Sequence, residues 1–158
     1  MTDTHESALA QLRESGQFAP VLSAIPYARL LGLSIEVVEG DPVTTMRADK
    51  ELVGNPILPA LHGGTVGALL ESAAIFKLIW EIKSIAVPKT INITVDYLRS
   101  ARLLDTHARA VITKHGRRVA NVQVRAWQRD ETQPIAAAHA HFLLKTLDIH
   151  GNGGNSPK

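Results

Sequence analysis

One short stretch of the chain combines a histidine, a pair of glycines and an acid in an otherwise apolar segment. It begins at Asn55 as a polar, proline-interrupted loop, passes through His62-Gly63-Gly64 and continues as an apolar run that contains Glu71. Backbone N–H groups at a helix start lack partners within the helix, so they can bind a developing negative charge. A carboxylate among apolar residues is costly unless it is paired or used. Together these features indicate an active site.

The composition limits the class of protein that can hold such a site. With 158 residues, 45% of them hydrophobic, the chain is long enough for one domain with its own core. It has no cysteine, which excludes thiol catalysis, disulfides and cysteine-bound metals. The apolar run 66–82 is interrupted by charged residues and is a poor membrane span, and the N-terminus lacks a signal-peptide pattern. We therefore expect a cytoplasmic protein without a membrane partner.

Basic residues are concentrated in the second half of the chain, although the net charge is only +2. They could bind a phosphorylated small molecule, or they could be solvated charges at strand edges. With three Phe and two Tyr in the whole chain, a surface for stacking nucleic-acid bases is poorly supported. We expect no nucleic-acid partner, and the other two explanations stay open.

Hydrophobic periodicity predicts the elements that position the segment. Two short N-terminal helices, a β-hairpin and a loop should precede one long helix that begins at His62 and is apolar on most sides, hence buried. The first predicted helix is 4–17, ending near Gly16, and the second is 21–31, with Gly32 as its stop. The hairpin strands are predicted at 33–38 and 43–48, with a turn at Gly40-Asp41-Pro42. The predicted loop is 50–61.

Four strands should follow the long helix. In the first, 90–98, the residues Ile91, Ile93, Val95 and Tyr97 should face one way and Thr90, Asn92, Thr94 and Asp96 the other. The remaining strands are predicted at 105–114, 119–129 and 135–144. Because short turns join them, these strands should be antiparallel neighbours.

This order of elements predicts an α+β protein in which a curved antiparallel sheet wraps one long central helix, the hotdog fold. The expected organisation is an N-terminal helical extension over 1–19, a hotdog domain over 20–147 and a polar, glycine-rich disordered tail over 148–158.

The motifs resemble those of a known enzyme family. His62-Gly63-Gly64 followed nine residues later by Glu71, with Thr90-Ile-Asn-Ile-Thr-Val-Asp-Tyr-Leu-Arg-Ser-Ala downstream, is similar to hotdog-fold acyl-CoA thioesterases of the phenylacetate-pathway (PaaI) type. The similarity covers about residues 25 to 145. It implies hydrolysis of an acyl-CoA thioester without a metal or redox cofactor, with coenzyme A present only as part of the substrate.

The resemblance also implies roles for residues of the segment. The N–H of Gly63, or of the adjacent Gly64, would polarise the thioester carbonyl and stabilise the oxyanion. Glu71 would act as general base on water or as nucleophile at the carbonyl carbon. His62 would belong to the catalytic residues, more often as a positioning group than as a proton-transfer group; its alternative is a helix-start residue whose imidazole bonds the nearby backbone. Outside this family Glu71 could instead be a structural acid paired with an arginine, and the glycines could be turn residues.

Two polar residues could complete the site. Asn55 resembles the family's asparagine that holds the water or the carbonyl, but it lies seven residues before His62 instead of six, and Leu58 and Pro59 replace the usual glycine. Thr90 aligns with a family Ser/Thr that hydrogen-bonds the attacking water. Its alternative is an exposed strand threonine.

In hotdog thioesterases the site lies between two subunits. By resemblance, Glu71 of one chain would face Gly63 of a second, and such dimers commonly pair again into tetramers. Four arginines are then candidates for binding the phosphates of coenzyme A, because arginine donates paired hydrogen bonds to phosphate. They are Arg99, Arg102, Arg117 and Arg118.

Other functions have less support. A hydratase or dehydratase of the same fold would need an Asp/His arrangement that the chain lacks, whereas a non-catalytic acyl-CoA-binding or regulatory domain remains an alternative. His139 and His141 share one strand face, but no third zinc ligand is apparent nearby, so we expect no metal. Serine-hydrolase and phosphate-loop motifs do not occur.

Overall fold

The structure, a computed structural model, describes residues 2–82 and 87–144. Four helices and eight strands are defined within them. The helices are α1 (Thr2–Ser15), α2 (Ala19–Ala24), α3 (Pro26–Leu30) and α4 (Gly63–Ile82). The strands are β1 (Leu33–Val38), β2 (Asp41–Met46), β3 (Val53–Asn55), β4 (Ala60–Leu61), β5 (Lys89–Tyr97), β6 (Thr106–His115), β7 (Val119–Trp127) and β8 (Ala136–Leu143). The tail expected to be disordered lies outside the described residues, and the domain limits stay predictions.

Six strands form one antiparallel sheet in the order β1-β2-β6-β7-β8-β5, and α4 packs against one face of it. On that inner face β6, β7 and β8 carry mostly small residues, including the buried Ala108, Ala126 and Ala138. Small side chains let the helix lie close to the sheet, where Leu69 and Leu70 are fully buried. The predicted α+β hotdog arrangement of a central helix wrapped by a sheet is confirmed.

Two short helices follow α1, where the pattern predicted only one. Pro26 disfavours the helical conformation at the residue before it, and Ile25 is accordingly extended, with φ −103° and ψ 106°. Helices α1 and α2 lie against the C-terminal half of α4, where the ring centroids of Phe18 and Phe76 are 6.0 Å apart. Because the sheet covers one side of α4 and these helices another, the helix is apolar on most sides.

The hairpin and the loop before α4 also differ from expectation. The turn of the hairpin is formed by Glu39 and Gly40, both with positive φ (55° and 85°), and Asp41 already belongs to β2. The predicted loop over 50–61 contains a 3₁₀ turn (Lys50–Leu52) and the two-stranded sheet of β3 and β4. Strands of two or three residues are too short to show a period in the sequence.

Strand β5 alternates as predicted only from Asn92 onward, because it contains a β-bulge. Thr90 pairs with the buried Phe142, and the register then shifts so that Ile91 is an extra residue. Thr90 therefore shares the inner face with Ile93 and Tyr97 instead of lying opposite them. This correction matters for the site, because the inner face is the one that meets α4.

A buried lysine on α4 anchors the hairpin to the helix. Lys77 forms ion pairs with Asp41 of β2 and with Glu81 one turn along, the second at 2.7 Å between Nζ and Oε1. Burial by itself lowers the pKa of Lys77, but the bonds and charges of Asp41 and Glu81 raise it above the usual value. The indole N–H of Trp80 adds a bond to the carbonyl of Gly40 at 3.1 Å.

Candidate active site

The first turn of α4 is capped by the residue before it. The carbonyl of His62 accepts from the N–H of Thr65 (3.0 Å) and of Val66 (3.3 Å), and also from the Thr65 hydroxyl (2.7 Å). The imidazole Nδ1 of His62 accepts from the N–H of Gly64 at 2.9 Å, which requires the ring proton to be on Nε2. His62 therefore caps the helix with both its backbone and its side chain.

This capping distinguishes the two glycines. The Gly64 N–H is occupied by His62, whereas no acceptor in the described part of the chain bonds the N–H of Gly63. Gly63 is also the first residue of α4, where the helix dipole favours negative charge. Of the two donors left open by the sequence, only the Gly63 N–H is available to a ligand.

The acid of the segment lies farther along the same helix and is held by one hydroxyl. Thr90 donates from Oγ1 to Oε1 of Glu71 at 2.6 Å, and both residues are half-buried. The bulge at Ile91 makes this bond possible, because it turns Thr90 toward α4. The structure thus brings Glu71 and Thr90 together, and the exposed-threonine alternative for Thr90 is wrong.

Tyr97 is a further residue at the candidate site, and no sequence motif identified it. Its hydroxyl donates to the carbonyl of Gly63 at 2.7 Å, and a Cβ placed on Gly63 would lie 3.2 Å from the ring carbon Cζ. The strand pattern did place Tyr97 on the face shared by Ile93 and Val95. No motif, however, indicated that the end of β5 passes over the start of α4.

Asn55 is not brought to the other site residues within the chain. Its side-chain oxygen accepts from the N–H of Ile57 (3.0 Å) and of Leu58 (3.3 Å), so it closes the turn between β3 and β4. In the described residues no hydrogen bond joins Asn55 to Gly63 or Glu71. The loop itself lies close to the helix start, because a Cβ on Gly54 would be 2.7 Å from Cα of His62.

An open cavity of about 410 Å³ adjoins the start of α4. Most of the side chains around it are apolar, with Arg99, Ser100 and the Tyr97 hydroxyl as exceptions, but polar and apolar atoms share its exposed wall about equally. The lining residues are Ala60, Leu61, Gly63, Val66, Tyr97, Leu98, Arg99, Ser100, Ala101 and Ile135. Glu71 is not among them, so the cavity reaches the Gly63 end of the helix only.

The four candidate arginines lie at two different ends of the sheet. Arg99 lines the cavity, and its guanidinium donates to the carbonyl of Pro134 (2.5 Å) and to Gln133 (3.0 Å). Arg102 lies at the same end, where it forms a β-bridge with Ala60. Arg117 and Arg118 precede β7, at the end where β5 begins. One chain therefore does not gather the four into one phosphate site.

The two ends of the site are well separated within a single chain. Gly63 and Glu71 are eight residues apart on α4. At ~1.5 Å of rise per residue this is roughly 12 Å along the helix, too far for both to contact one thioester carbon and its oxygen. Within one chain, the Gly63 end and the Glu71 end of α4 are therefore two candidate half-sites.

Neither a metal cluster nor a membrane-spanning helix is found in residues 2–82 and 87–144. Among them, no three histidine or acidic side chains lie together as a metal would need. His139 and His141 are on the outer face of the sheet, and His141 Nδ1 lies 2.7 Å from Asn92 Oδ1. No helix in this part of the chain has both the length and the apolar character to span a membrane.

Comparison with known proteins agrees with this architecture. A family model described as the acyl-CoA thioesterase N-terminal domain matches residues 54–143, more than half of the chain. No curated protein sequence matches this chain.

Three solved structures illustrate the likeness. A protein of Chromobacterium violaceum is 38% identical, with a TM-score of 0.73 over 90% of this chain and 99% of that one. Two further structures share the fold. One is a phenylacetic acid degradation-related protein of Ralstonia eutropha, with 24% identity and a TM-score of 0.71 over 87% of this chain and 99% of that one. The other is a mutant of the phenylacetic acid degradation protein PaaI of Thermus thermophilus, with 21% identity and a TM-score of 0.64 over 75% of this chain and 98% of that one. The chain belongs to the hotdog-fold acyl-CoA thioesterases, a family of thioester hydrolases, and has the fold of the PaaI type.

Proposed function

We propose that the protein hydrolyses an acyl-CoA thioester to the free acid and coenzyme A, at a site built from Gly63 and Glu71. The observation that carries the proposal is the unoccupied N–H of Gly63 at the start of a 20-residue helix, beside an open cavity. A single well-placed donor at a helix N-terminus suits the oxyanion of acyl transfer.

The chemistry proceeds through a tetrahedral intermediate. The thioester oxygen accepts from the Gly63 N–H, which draws electron density from the carbonyl carbon. Glu71 takes a proton from water as the water oxygen attacks that carbon, or attacks the carbon itself to form an anhydride that water then cleaves. The carbon–sulfur bond breaks when the tetrahedral intermediate collapses, which in the nucleophile route is the step that forms the anhydride. Coenzyme A leaves as the thiolate, and the proton taken from water passes to it or to the solvent. Because Glu71 supplies the proton transfer and Gly63 the charge stabilisation, the proposed reaction needs no cofactor.

The separation of Gly63 from Glu71 supports a site shared by two chains. Strand β5 is an edge of the sheet, and its nine residues offer one unpaired row of backbone groups. Two-fold pairing of β5 with its copy is antiparallel. It would bring Thr90 and Glu71 of the partner subunit to the end of β5 where Tyr97 covers Gly63. Pairing through the other edge, β1, would leave the two half-sites apart.

The same two-fold arrangement suggests how the arginines are used. Arg117 and Arg118 lie at the end of the sheet where β5 begins. In the two-fold dimer, this end of one chain would lie next to the Gly63 end of the other chain. Arg99 lines the cavity at that end. We infer that Arg99 of one chain, with Arg117 and Arg118 of the partner subunit, is best placed to meet coenzyme A phosphates. Pairing of two such dimers would give a tetramer.

The activity is tested by release of free thiol from a panel of short-, medium- and aryl-chain acyl-CoAs. We expect turnover of at least one class, with no added metal and unchanged by a chelator. Tight binding of an acyl-CoA with no thiol released over hours would contradict hydrolysis and favour the acyl-CoA-binding alternative.

The shared site predicts complementation between two inactive variants. Glu71→Gln and Gly63→Pro chains, mixed and reassembled in equal amounts, are expected to recover about a quarter of wild-type activity, because half of the dimers are mixed and each has one intact site. The measurement is thiol release after reassembly, with each variant reassembled alone as the control. Activity that stays at the level of the separate variants would show that Gly63 and Glu71 act within one chain.

A further inference from the structure

The start of α4 contains two adjacent glycines, and this should be its least ordered turn. Glycine loses more conformational freedom on folding than any other residue, and the first turn of a helix lacks internal partners. A donor used for transition-state stabilisation must nevertheless keep a fixed direction before the substrate arrives. The geometry around Gly63 shows what supplies this order.

The peptide group that joins Gly63 to Gly64 is bonded at both ends. Its carbonyl accepts from the Tyr97 hydroxyl at 2.7 Å, and its N–H donates to Nδ1 of His62 at 2.9 Å. The preceding peptide group is held at the His62 carbonyl, which the Thr65 hydroxyl and the N–H of Thr65 contact. The free N–H of Gly63 belongs to that preceding group, so its direction depends on both.

The tyrosine ring also fills the space beside Gly63. A Cβ on Gly63 would lie 3.2 Å from Cζ of Tyr97, and one on Gly67 would lie 3.6 Å from its hydroxyl oxygen. The glycine at position 63 is therefore matched to the aromatic ring above it, in addition to any need for an open approach by the substrate. The ring and its hydroxyl together lie along the first turn of the helix.

We propose that Tyr97 is a positioning residue for the oxyanion donor: its hydroxyl holds the Gly63–Gly64 peptide so that the Gly63 N–H keeps one orientation. The proposal rests on the proposed function, because it assigns Tyr97 a role at that same site. Tyr97 acts through Gly63 and not on the substrate. Its removal should therefore slow the chemical step without weakening acyl-CoA binding.

The test is the substitution Tyr97→Phe, which removes one oxygen and keeps the ring. We expect kcat to fall about tenfold, less than the 10²–10³-fold that follows loss of an oxyanion donor itself. KM for the acyl-CoA should stay within about twofold and the melting temperature within about 2 °C. The matched control is Tyr27→Phe at the only other tyrosine, an exposed residue of α3, which should keep wild-type kcat.

Three results would overturn the proposal. Equal kcat for Tyr97→Phe and Tyr27→Phe would do so while leaving the hydrolase intact. A rise in KM with kcat unchanged would place Tyr97 in contact with the substrate instead. The third concerns amide hydrogen exchange by NMR, which does not depend on activity: exchange at Gly64 should accelerate in Tyr97→Phe and not in Tyr27→Phe. Unchanged exchange would refute the proposal even if the wild type hydrolysed no acyl-CoA, a result that would separately refute the proposed function.

Discussion

Replacing Glu71 with glutamine is expected to lower kcat by about 10³-fold, within the range for loss of a general base or nucleophile. Glutamine has nearly the same shape, and its side-chain oxygen can still accept the hydroxyl bond that Thr90 makes to Glu71 at 2.6 Å. The substitution therefore removes the proton acceptor while it preserves the local packing. KM and the melting temperature should change little.

The measurement is thiol release from the best acyl-CoA of the panel, together with a thermal unfolding curve. Glu36→Gln, an acid-to-amide change on the exposed side of β1, is the matched control and should retain wild-type kcat. If Glu71→Gln kept activity within about threefold of wild type, Glu71 would have no part in the chemistry. A large fall in melting temperature would instead indicate a structural acid.

The two roles open to Glu71 can be separated by isotope labelling. In a single turnover in H₂¹⁸O with enzyme in excess, the general-base route places the label in the product acid alone. The nucleophile route passes through an anhydride, and attack of water at its Glu71 carbon leaves the label in the enzyme. Mass spectrometry of the peptide that contains Glu71 would detect it. Label found there would rule out a purely general-base role.

Replacing Gly63 with proline is expected to lower kcat by about 10²–10³-fold relative to Gly63→Ala, the usual cost of deleting one oxyanion donor. Proline has no N–H and is tolerated at the first position of a helix, which is where Gly63 lies. Both substitutions add a Cβ that would press on Tyr97, since a Cβ at this position would lie 3.2 Å from Cζ. The ratio between the two variants therefore reports the loss of the N–H together with the proline ring that takes its place.

Steady-state kinetics of both variants, with circular dichroism to verify that each folds, provide the measurement. In the alanine variant, kcat should fall only because the added Cβ displaces Tyr97, since the N–H is kept. Similar kcat values for the proline and alanine variants would show that the Gly63 N–H does not stabilise the transition state. The capped N–H of Gly64 would then have to be released from His62 to serve as the donor.

Much of the fold was predictable because its elements are long and regular. The apolar run that begins after His62 and the alternating strands carry periods set by local geometry, and the observed α4 and β6–β8 lie close to the predicted limits. Predictions failed where a single residue or a very short strand decides the backbone. Pro26 split the second helix, and β3 and β4 are too short to leave a pattern.

The sequence by itself determined the chemistry that is present: a glycine pair at a helix start, an acid nine residues after His62, and a long helix that carries both. Only the tertiary structure decided how these groups are used. A bulge at Ile91 turns Thr90 toward Glu71, capping by His62 leaves Gly63 as the free donor, and the end of β5 brings Tyr97 onto that glycine. Local sequence periods describe neighbours along a helix or strand, whereas these contacts join residues of separate elements through packing and strand register.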